Sequence, residues 1–72
     1  MKNTDFDKKV GEYLKKYRLE HDMTQEQMGA SIGRTRLWYR EIERGRNSLL
    51  FADAKKLCEA LNIDLNEMIK EL

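Results

Sequence analysis

The 72-residue sequence holds no proline, one cysteine and one histidine, and each scarcity excludes something. Without proline, no ring forces a kink or a rigid turn on a helix. One cysteine cannot close an internal disulfide, which suits a reducing compartment. His21 and Cys58, each alone of its kind, give no metal-ligand spacing and no nucleophile–base arrangement, so no enzyme activity, metal or cofactor is expected. His21 reads as a surface residue at a helix end, and Cys58, at a core spacing, as a buried and inert thiol. No apolar run approaches the length of a membrane span or a signal-peptide core, so no membrane partner and a cytoplasmic location are expected. No repeat, low-complexity stretch or linker is visible, and no small-molecule pocket is expected in so short a chain.

What is present is charge and helix-forming side chains. With 38% charged and 40% hydrophobic residues, the chain is charge-rich yet able to bury a core, near the lower size limit for doing so unaided. Helix formers dominate, so an all-α bundle of five helices is expected, in one domain over residues 6–72 behind a flexible lead-in at 1–5. A first helix over about 7–21 follows from Phe6, Val10, Tyr13, Leu14 and Tyr17, which recur on one stripe and leave Leu19 off it. A fourth helix, about 51–60, turns Phe51, Ala54, Leu57, Cys58 and Leu61 inward. Asp64 reads as the N-cap of a fifth, 64–71, with Glu67 completing a capping box and Leu65, Met68, Ile69 and Leu72 as its apolar face.

The stretch that organises the rest is residues 24–45, TQEQMGASIGRTRLWYREIERG. Thr24 is a favoured N-cap, and Glu26-Gln27 stand where a capping-box side chain belongs. Met28 and Ile32, four apart, give a short helix over 24–31 one apolar face. Gly33 can turn with positive φ, Thr35 caps a second helix over 35–44 with Tyr39 and Ile42 inward, and Gly45 stops it. This is a helix-turn-helix pattern. Thr24-Gln25, Met28-Gly29, Gly33, Thr35, Tyr39 and Glu43-Arg44-Gly45 fall without a gap in the register of the Cro/repressor-type (XRE-type) helix-turn-helix domains. The resemblance continues through Phe51, Leu57, Ala60-Leu61 and Leu65 to Met68.

The resemblance implies a lambda-repressor-like fold and a sequence-specific regulator of transcription, a repressor of the phage or mobile-element kind, bound as a homodimer to a pseudo-palindromic double-stranded DNA operator. In this class of motif the second helix enters the major groove with its first residues at the base edges; here these are Thr35, Arg36, Leu37, Arg40 and Glu41. Arg36 can pair bidentately with guanine, and Leu37 can meet a thymine methyl. Glu41 can accept from cytosine or hold Arg40 or Arg44. Thr24 and Gln25 open the helix before it, where N–H groups face a phosphate. Arg34, Arg44, Arg46 and Asn47 flank the groove helix as phosphate candidates. The resemblance further implies a partly buried ion pair between Arg18 and Glu43, against which stands the reading of two unrelated surface charges. A dimer surface is available from Leu65, Met68, Ile69 and Leu72 with Leu49 or Leu50, unless the fifth helix turns that face to the first.

Charge distribution supports nucleic acid more than the total of +1 does. Residues 33–50 carry Arg34, Arg36, Arg40, Arg44 and Arg46 against Glu41 and Glu43, a local excess of three positive charges. A clustered positive face is an electrostatic footprint for a polyanion, although a solvated helix face gives the same count. Departures from the family pattern are Arg34, where a small aliphatic residue is usual, Asp22 at a cap usually held by Gly, Leu49 in place of a loop proline, and the apolar block Leu37-Trp38-Tyr39. With Tyr39 inward, Leu37 and Trp38 are left partly exposed. They suit DNA contact or, on a second reading, a protein-interaction module of antitoxin-like or anti-repressor kind.

Overall fold

A computed structural model describes residues 5–72 of the protein. The expected lead-in falls at residues 1–4 outside the described part, while Asp5 already belongs to a helix. The described elements are α1 (Asp5–Glu20), α2 (Gln25–Ala30), α3 (Arg36–Glu43), α4 (Phe51–Leu61) and α5 (Leu65–Lys70). The expected starts at residues 24, 35 and 64 are the N-caps. Thr24 accepts from the Gln27 N–H and Gln27 returns a side-chain bond to the Thr24 N–H, a complete capping box. Thr35 accepts from the Trp38 N–H, and Asp64 from Asn66 and Glu67. Glu67 pairs instead with Lys70 at 3.7 Å, so the reciprocal half of the expected box at α5 is not formed.

The first four helices end the same way. A residue at positive φ (Asp22, Gly33, Gly45, Asn62) turns the chain. The next N–H reaches back to a carbonyl five residues earlier: Met23 to Arg18, Arg34 to Gly29 and Arg46 to Glu41 at 2.9 Å, and Ile63 to Cys58 at 2.8 Å. These closures satisfy carbonyls that a helix end otherwise leaves unpaired.

The core is built from Val10, Leu14, Met28, Tyr39, Ile42, Leu57, Cys58 and Met68, with Tyr13, Tyr17, Met23 and Trp38 among the half-buried side chains against it. Burying such side chains contributes about 1.5–3 kcal/mol each. Helix α3 packs on both α1 and α2. The approach of α1 is possible because Gly11 has no side chain: a Cβ there would press into the Glu43 carbonyl and lie 2.7 Å from that of Ile42. On the other side, a Cβ on Gly29 would lie 2.6 Å from the Thr35 carbonyl oxygen. Two expected core residues lie outside. Phe51 is 71% exposed and Phe6 57%, because helical spacing marks a face without saying whether another element covers it. Cys58 is buried, which pushes its thiol pKa up. Among the described residues no helix is long and apolar enough to cross a membrane.

Candidate nucleic-acid interface

Helix α3 is anchored by one face and presents the other. Tyr39 and Ile42 are sealed in the core, whereas Thr35, Arg36, Leu37 and Arg44 are exposed. Arg36 also borders an open concave surface shared with Arg18, Met23, Thr24, Gln25 and Glu26. The fold therefore brings the start of α2 and the start of α3 to one side, with a guanidinium at its lip. Leu37 stands 59% exposed; Trp38 is drawn against the core.

The C-terminal end of α3 is tied to α1 by Arg18 and Glu43. Arg18 donates from Nε to Glu43 Oε2 and from Nη2 to Oε1, both at 2.9 Å, and from Nη1 to the Met23 carbonyl at 3.3 Å. Gln25 adds its amide to Glu43 Oε1 at 3.2 Å, so this side chain is turned inward. The Glu43 side chain is only 5% exposed. Burial pushes its pKa up, but the bonds from Arg18, with help from Tyr39 and Gln25, outweigh that and hold it below the ordinary carboxylate value. The Arg18 guanidinium is held above its ordinary value, chiefly by its hydrogen bonds to Glu43. The Tyr39 hydroxyl is buried beside this pair, outside good hydrogen-bond geometry yet within electrostatic reach. Burial first, then the Glu43 charge, raises its pKa.

Glu41 Oε2 lies 3.7 Å from Arg40 Nε and 3.6 Å from Arg46 Nη1, while the expected alternative partner, Arg44, is exposed. Both contacts are longer than a hydrogen bond; Arg40 Nε and Glu41 Oε2 are buried, whereas the Arg46 side chain is 56% exposed, so its pair contributes about 0–1 kcal/mol and leaves it unlocked. Arg46 and Asn47 are exposed just beyond α3. Arg34 is differently placed: Nη2 donates to both oxygens of Asp53, at 3.2 and 3.0 Å, and its guanidinium lies over the Trp38 ring, 5.2 Å from the centroid.

Two contributors escaped the sequence reading. Gly11 was visible only as a glycine inside a helical pattern, a known sign of close packing. Asp53, 19 residues from Arg34, had no local signal beyond an acidic residue in a first helical turn, where the helix dipole favours it. Among the described residues no group of His, Cys, Asp and Glu could hold a metal ion.

Sequence comparison meets this geometry. The chain is similar to Control protein C.MunI of Mycoplasma sp, with 32% identity over 65 residues that cover 89% of this chain and 88% of that protein. Residues 14–68, from the middle of α1 to the Met68 turn of α5, match the helix-turn-helix family. With α2, the Gly33 turn and α3 held as described inside that span, the chain belongs to the Cro/repressor-type helix-turn-helix family of DNA-binding transcription regulators.

Proposed function

We propose that the protein is a sequence-specific double-stranded DNA-binding repressor that acts in the cytoplasm as a homodimer and inserts α3 into the major groove. The observation that carries this reading is the two-faced α3: Tyr39 and Ile42 sealed, Arg36 and Leu37 projecting at the end that reaches base edges in this class of motif. Arg36 reads guanine and Leu37 a thymine methyl, with Thr35, Arg40 and Glu41 alongside. Thr24 and Gln25, through the start of α2, and Arg44, Arg46 and Asn47 contact phosphates, and the weak Glu41 pair leaves the exposed Arg46 able to swing outward. The likeness to a protein named a control protein supports a regulatory role. The homodimer rests on an apolar groove lined by Phe6, Leu49, Phe51, Ile69 and Leu72, where Met68 is buried and Ile69 turned out. The protein-interaction alternative is weakened by Trp38, which packs inward and leaves Leu37 alone of the apolar block.

Binding to mixed-sequence duplex DNA, titrated from low to physiological salt, tests the reading. Affinity is expected to fall steeply with salt. Arg36→Ala is expected to cost about 1–3 kcal/mol and relax the choice at one base pair. Arg46→Ala is expected to weaken all duplexes alike and reduce the salt slope by about 0.9. No binding even at low salt would overturn the proposal.

A further inference from the structure

We infer that Arg34 is a positioning residue of the groove helix rather than a phosphate contact, and that Asp53 on α4 is its counterpart. This rests on the DNA-binding reading above. Arg34 immediately precedes the α3 cap, and three features converge on the turn it controls. Its N–H is fixed on the Gly29 carbonyl at 2.9 Å. Its Nη2 bridges both oxygens of Asp53, whose side chain is 7% exposed. Its guanidinium lies over the ring of Trp38, the residue whose N–H Thr35 caps.

A guanidinium so engaged is not free to leave for DNA. Departure would strand a buried carboxylate without this partner, which is the costly way to break such a pair. It would also uncover the Trp38 face and give up a cation–π contact. The consequence for α3 is geometric. Its C-terminal end is clasped to α1 by Arg18 and Glu43, and its N-terminal end is clasped to α4 by Arg34 and Asp53. Arg36 and Leu37, which project from the first turn, inherit their aim from the second clasp, because Trp38 lies in that same turn.

The two roles of Arg34 predict opposite results for Asp53→Asn. That change removes a negative charge and releases a guanidinium, so a phosphate contact would bind DNA as well or better. A positioning role predicts weaker binding although positive charge has been gained. Arg34→Lys separates them again: lysine keeps the point charge that a phosphate needs but lacks the guanidinium that spans from Asp53 to the Trp38 ring. The experiment selects a duplex on the wild-type protein from a random library, then titrates wild type, Asp53→Asn and Arg34→Lys against it across salt. Fluorescence of free protein is recorded in parallel, since Trp38 is the one tryptophan of the chain and its emission reports the clasp without DNA.

The expected result is a changed Trp38 emission in both variants, with affinity reduced roughly five- to tenfold and the salt slope kept. Wild-type affinity in either variant, a changed salt slope, or unchanged emission overturns the inference. Thermal melts show whether each variant is folded; should Asp53→Asn not fold, Arg34→Lys alone decides by the same criteria. Failure to select any duplex would overturn the DNA-binding reading and the groove-helix role with it, while the emission still shows whether the clasp exists.

Discussion

Glu43 concentrates the electrostatics of the molecule at one carboxylate. It accepts from Arg18 twice and from Gln25 once, and its folded pKa lies below the ordinary 4.5. The linkage follows in sign: a carboxylate depressed in the folded state stabilises the fold at pH above the unfolded value, and this contribution is lost as pH falls through the folded one. Glu43→Gln is therefore expected to cost about 3 kcal/mol at pH 7, since Arg18 loses its charged partner. The gap to wild type should narrow as pH falls below 4.5. Urea unfolding of both proteins across pH measures this, and a gap independent of pH would show that Glu43 carries no such linkage. Gly11 matters in the opposite way, through what it lacks. Gly11→Ala is expected to lose about 1–3 kcal/mol by overpacking, despite the better helix propensity of alanine, because the obstructing atoms are α3 backbone that cannot rotate aside. A thermal melt at or above the wild-type midpoint would contradict it.

Among the elements, α3 is the one whose placement the others serve: α1 approaches it at Gly11, α2 at Gly29, and α4 through Asp53 and Arg34. The helices themselves were legible in the sequence because their signals are local. Thr24, Thr35 and Asp64 sit at caps, Gly33 and Gly45 at turns, and Val10, Leu14, Tyr39, Ile42 and Leu57 at helical spacing. What was not legible needs two distant residues at once. Nothing near Arg34 announces Asp53, and nothing near Phe51 or Phe6 says that no helix covers them. Leu50, which precedes α4 without a side-chain cap bond, shows that an element can also start without a capping side chain, here with Asp53 in its first turn.

For the whole molecule, the exposed pair Phe51 and Ile69 belongs to the groove that the proposed homodimer would close. Sedimentation at tens of micromolar is expected to give a dimer, and Ile69→Asp a dissociation constant raised at least about tenfold, since truncating or charging a central apolar contact commonly costs that much. A wild-type monomer both with and without DNA would remove the dimer from the proposal. Two of the four helix-ending turns, at Asp22 and Asn62, adopt positive φ without glycine. Such residues tolerate that conformation but still pay for their Cβ, so Asn62→Gly should raise the melting midpoint, by up to about 1 kcal/mol of stability. Natural chains are held above a threshold of stability and are not driven to its maximum. These turns are places where this chain has unused room, a reserve from which harsher changes at the exposed end of α3 could be absorbed.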